Sequence, residues 1–68
     1  MTIKDLCNGL NGDTMVYVHV WYGGDGSDML LKFLAKDVPN YIKNYAVQFW
    51  SSGKKGVSIF ISKEVIYG

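Results

Sequence analysis

The stretch Met15-Val16-Tyr17-Val18-His19-Val20-Trp21-Tyr22 decides the fold. Val16, Val18 and Val20 alternate with Tyr17, His19 and Trp21, the period of two that sends successive side chains to opposite faces of a strand. A strand with one face in water carries polar residues on that face. Here the second face is aromatic. Two later runs repeat the pattern more weakly. Val47 and Phe49, then Val57, Ile59 and Ile61, read as one face, with Trp50 and Phe60 opposite. A sheet with two apolar-leaning faces must cover both, by its own helices or by a partner.

Outward from this strand the chain reads in both directions. Thr2 with Asp5 three residues on resembles a capping box, with Asp in place of the usual Glu. Ile3, Leu6, Cys7 and Leu10 fall at i, i+3, i+4 and i+7, one helical face, and Asn11-Gly12 supplies a stop. A short helix over Ile3 to Leu10 is expected. After the first strand, Gly23-Gly24-Asp25-Gly26-Ser27 is a loop. Asp28 to Lys36 reads as a second strand, with Met29, Leu31, Phe33 and Ala35 on one face and Leu30, Lys32, Leu34 and Lys36 on the other. Asp37-Val38-Pro39 resembles a helix start, with proline in the first turn. Val38, Ile42, Tyr45 and Ala46 then form its inner stripe. Val47 to Ser52 and Val57 to Ser62, the latter running on as far as Tyr67, complete two hairpins around Ser52-Gly53-Lys54-Lys55-Gly56. The expected fold is a single α+β domain over 1–68: a small antiparallel sheet of about four strands with two short helices, in the order α-β-β-α-β-β. Ile3, Leu6, Leu10, Val16, Val18, Val20, Ile42, Val47, Val57, Ile59 and Ile61 are its expected core.

The composition narrows the function. The 68 residues carry seven lysines, six acids and no arginine, a net charge of +1. Arginine is the preferred partner for bidentate phosphate and guanine contacts, so tight duplex DNA binding is not expected. No long apolar run opens the chain, so neither a signal peptide nor a transmembrane helix is expected. A lone cysteine, Cys7, suits a reducing compartment. A cytoplasmic protein with no membrane contact follows. Cys7 reads as a small buried hydrophobe. His19 has no second histidine or suitably spaced carboxylate, so no metal, no cofactor and no catalytic group is expected.

Gly23-Gly24-Asp25-Gly26-Ser27-Asp28-Met29-Leu30-Leu31 resembles the calcium-binding nonapeptide of RTX β-rolls. In such rolls each ion lies between successive turns, so a single copy cannot close a site. A hairpin loop explains the same residues. Gly53-Lys54-Lys55-Gly56 reads as a solvated hairpin turn whose lysines can still meet phosphate as point charges.

The opening Thr2-Ile3-Lys4-Asp5-Leu6, the Leu10-Asn11-Gly12-Asp13-Thr14 that follows, and Ala35-Lys36-Asp37-Val38-Pro39 together resemble small phage and prophage proteins of Gram-positive bacteria. The resemblance spans most of the chain as a pattern of spacing and gives no residue a role. It implies a binding protein, in some cases an inhibitor of host defence machinery. Inhibitors of that kind are commonly strongly acidic mimics of DNA. This chain is not acidic, which implies a blocking mechanism instead.

The expected function is therefore a non-enzymatic protein–protein interaction module, an inhibitor or accessory factor acting on a host protein. The candidate surface is the second sheet face: Tyr17, His19, Trp21, Lys32, Trp50 and Phe60, edged by Lys36, Gln48 and Ser58. Two alternatives stay open. The same face, closed on a second copy, makes a homodimer; as a stacking platform, it binds single-stranded nucleic acid.

Overall fold

The computed structural model describes residues 1–24 and 26–62. Helix α1 spans Ile3–Asn8, and four strands follow: β1 (Met15–Gly23), β2 (Gly26–Leu34), β3 (Phe49–Gly53) and β4 (Gly56–Ser62). A one-turn 3-10 helix, Ala35–Asp37, closes β2. The result is an α+β fold built on one four-stranded sheet in the order β2-β1-β4-β3. The expected continuation of β4 to Tyr67 lies outside the described residues, as does Asp25 of the RTX-like loop.

The capping box forms as the sequence reads. The Asp5 amide donates to Thr2 Oγ1 at 3.2 Å, and the Thr2 amide donates to Asp5 Oδ2 at 3.1 Å. These bonds favour the charged carboxylate and hold the Asp5 pKa below its ordinary value, first through the Thr2 backbone and then through its side chain. Stability supplied by a depressed carboxyl is present above the unfolded-state pKa and is lost as pH falls through the folded one. Thr2→Ala should cost about 1 kcal/mol and, because the backbone amide that alanine keeps is the larger cause, raise the Asp5 pKa only part of the way to its ordinary value. An NMR titration of Asp5 in both proteins reads this directly. An unchanged midpoint would mean that the backbone amide alone holds the carboxylate and the Thr2 side chain adds nothing.

The sheet is mixed, not antiparallel. β1 pairs antiparallel with β2, and β3 with β4, but the two hairpins join through a parallel β1–β4 contact from Val16↔Val57 to Trp21↔Ser62. The cause lies in the strands themselves. β1 and β4 carry the strictest Val/Ile alternation, and central positions bury most. The weaker β2 and β3 take the edges. Short links within each hairpin are silent on how the two hairpins meet.

The expected second helix is absent. Between Asp37 and Val47 the chain makes successive turns, with Ile42 N–H donating to Pro39 O at 3.2 Å and Tyr45 N–H to Ile42 O at 3.0 Å. Asn40 and Asn44 favour turns over helix. The carbonyls that a helix would use internally serve α1 instead. Ile3 N–H donates to Tyr45 O at 3.0 Å and Lys4 N–H to Lys43 O at 2.9 Å, so two orphan amides of the helix start find partners. This segment crosses one face of the sheet from edge β2 to edge β3 and delivers Ile42 to the core.

That face is the valine face. Val16, Val18, Val20, Val57, Ile59 and Ile61 bury against Ile3, Leu6, Cys7, Ala35 and Ile42, and Leu10, Leu31, Phe33, Val38, Tyr45 and Val47 pack around them. Burial pushes the Cys7 thiol pKa up, as suits a side chain packed as a hydrophobe.

Candidate functional site

Both covering elements, α1 and the crossing segment, lie on the valine face. The opposite face has no element over it among the described residues. Cross-strand partners share a face, so the strand registers lay it out. Lys32 pairs with Tyr17, Tyr17 with Ser58 and Ser58 with Ser51, one row across all four strands. Met29 pairs with His19, His19 with Phe60 and Phe60 with Phe49, a second row beside it.

The second row is an aromatic ladder. His19 and Phe60 stack at 4.8 Å between ring centroids and 16° between planes, and Phe60 and Phe49 at 4.4 Å and 12°. Parallel rings this close cannot lie side by side in one plane. Their faces therefore point at one another along the strand-to-strand direction, and ring edges point outward. Trp21 meets Phe49 edge-on at 5.5 Å and 85°, and its indole N–H donates to Gly24 O at 3.0 Å, tying it to the β1–β2 loop.

Tyr17, His19, Trp21, Lys32 and Phe60 thus share one face as expected. Trp50 does not. It pairs with Ile59 and sits on the valine side at the sheet edge, 44% exposed. Phe49 takes the place expected of it. Val47 does pack on the core, but the chain bends at Gln48, and beyond the bend the alternation restarts in the opposite phase. Gln48 itself lies outside β3.

Met29 reaches the aromatic face for a related reason. Val18 pairs with Leu31 and His19 with Met29, so Leu30 is an extra residue in a bulge that reverses the alternation along β2. Lys36 leaves the face altogether. It lies in the 3-10 turn, where its Nζ is 3.3 Å from Asp13 Oδ1, an exposed pair worth little. Neither Phe49 nor Met29 carried a local signal for its face, since a bend and a bulge are settled by the neighbouring strand.

At the β3–β4 turn the face sinks into an open depression of about 390 Å³. Tyr17, His19, Ser51, Ser58, Lys54 and Lys55 line it. Cys7 packs on the far side of the sheet from His19, so the sheet separates the two side chains that nucleophilic chemistry would need together. Among the described residues no cluster of three His, Cys, Asp or Glu could hold a metal ion, and no helix is long and apolar enough to cross a membrane. No family model matches the chain, and searches of curated proteins and of solved structures find no match either.

Proposed function

We propose that this is a non-enzymatic binding module whose aromatic face docks on a partner protein. The observation that carries it is the self-stacked ladder His19–Phe60–Phe49, flanked by Trp21 and by Met29 at 58% exposure, on a face with no covering element among the described residues. Large rigid rings supply contact area at little entropic cost and dominate interface energetics. Single-stranded nucleic acid needs ring faces on which bases can lie. In this ladder Phe60 has both faces covered, by His19 and Phe49, and offers a base only its edge. That geometry, with the lack of arginine, favours protein over nucleic acid. The likeness to phage proteins suggests the setting, an inhibitor or accessory factor acting on a host protein.

Phe49→Ser tests this at a residue already 43% exposed, where the fold should survive. The wild-type chain should capture a partner from the cells that make it, and the variant should lose that capture by about tenfold or more, as for an interface hot spot, with its melting curve nearly unchanged. Equal capture by both chains would refute docking through the ladder. Sedimentation at several concentrations separates a foreign partner from a second copy.

A further inference from the structure

We propose that the row Lys32–Tyr17–Ser58–Ser51, with Lys54 and Lys55 at its β3 end, is an anion-binding stripe that takes the carboxylates of an extended acidic segment of the docked partner. It rests on the docking role of the aromatic ladder and adds the chemistry of what docks. Three features of the face carry it.

The first is chemical content. Lysine ammonium groups donate only, and the three hydroxyls can all donate. The side chains of Tyr17, Ser51, Ser58, Lys32, Lys54 and Lys55 enter no hydrogen bond or ion pair with other described residues. No described residue therefore competes with a ligand for them. The second is sign. Asp5 is on α1, Asp13 precedes β1 and Asp37 follows β2, while Asp28 pairs with Val20 and so lies on the valine side. No carboxylate of the described residues shares the face with the lysines. Two copies pressed face to face would set cation against cation, so charge complementarity points to an acidic partner and away from a second copy.

The third is spacing. Strands lie about 4.8 Å apart, so the row spans roughly 14 Å. Residues two apart on a strand are about 6.8 Å apart, so the donor row and the ladder run side by side at about that distance. An extended peptide laid between them sends alternate side chains to either side. Carboxylates at every second position would meet the donor row, and apolar side chains between them would meet the ring edges. The fitting segment alternates acidic and apolar residues.

A capped Glu-Leu-Glu-Leu-Glu peptide, its Gln-Leu-Gln-Leu-Gln counterpart and a short oligothymidylate are titrated into the isotope-labelled chain and followed by NMR. The Glu peptide should shift the amides of Tyr17, Ser51, Ser58 and Lys54 and weaken steeply with salt. The Gln peptide should bind several-fold more weakly. The double variant Lys54→Gln/Lys55→Gln should weaken the Glu peptide by up to about tenfold, the sum of two exposed ion pairs. Equal binding of Glu and Gln peptides overturns the stripe while leaving the ladder as a docking surface. Loss of Glu-peptide binding in the lysine variant, with none in Phe49→Ser, supports the stripe and refutes the ladder. Tighter binding of the oligothymidylate, shifts elsewhere on the chain, or no binding of the Glu peptide would each overturn the proposal.

Discussion

Replacing Gly56 with alanine should destabilise the domain by about 3 kcal/mol or more, a large share of what so small a core supplies. Gly56 opens β4 with φ +140°, a region that side-chain-bearing residues rarely adopt. Backbone strain of that kind costs of order 1–3 kcal/mol. A Cβ there would also collide with the carbonyl of Met15 at the start of β1. That carbonyl cannot yield cheaply, because Met15 is itself paired with Leu34 of β2. The close approach lies at the beginning of the parallel β1–β4 contact, where the two hairpins join in the sheet. Gly53, across the same turn, is the control: a Cβ there meets nothing within 4 Å. Urea midpoints for Gly56→Ala and Gly53→Ala should differ by most of the predicted effect. If the two variants unfold together, the close approach at Gly56 is not what joins the hairpins.

The elements that depend on neighbours in sequence were legible, and those that depend on neighbours in space were not. The cap at Thr2, the alternation of β1 and β4, and the inward residues Ile3, Leu6 and Cys7 are local patterns that form where the sequence places them, while α1 ends at Asn8 with Gly9 as its cap, short of the expected Leu10. The parallel β1–β4 contact is a long-range choice between two hairpins, and nothing in either turn encodes it. The face of Trp50 is not legible locally, because Val47 and Phe49 look like one unbroken alternation while the bend at Gln48 separates them. Leu30 cannot be recognised as a bulge residue without its partner strand. On the candidate face, Tyr17, His19 and Trp21 in β1, Phe60 in β4 and Lys32 in β2 are legible from alternation alone. Phe49 and Met29 are not legible, since the phase of the alternation changes at Gln48, just before Phe49, and at Leu30, just after Met29.

Ile42→Ala is the second substitution with a large expected effect. Ile42 is fully buried within a segment that makes turns and no helix. Helix hydrogen bonds do not hold this segment in place, so Ile42, its fully buried side chain, is the main anchor beside the partly buried Val38, Tyr45 and Val47. Truncating a buried isoleucine costs about 2–5 kcal/mol. The consequences should reach α1, because the carbonyls of Lys43 and Tyr45 hold the amides of Lys4 and Ile3. Amide exchange at Ile3 and Lys4 should therefore accelerate in Ile42→Ala together with exchange along the crossing segment. Tyr41→Ala, at a neighbouring residue 69% exposed, should change the unfolding free energy by less than about 0.5 kcal/mol. Ala46 separates this account from a helical one. A helix would turn Ala46 inward beside Val38, Ile42 and Tyr45, and Ala46→Ser would then bury a hydroxyl. In the turn structure Ala46 is exposed, and the same substitution should be nearly neutral. A marked loss of stability in Ala46→Ser, with Ile3 and Lys4 still protected in Ile42→Ala, would restore the helix and remove the coupling between this segment and α1.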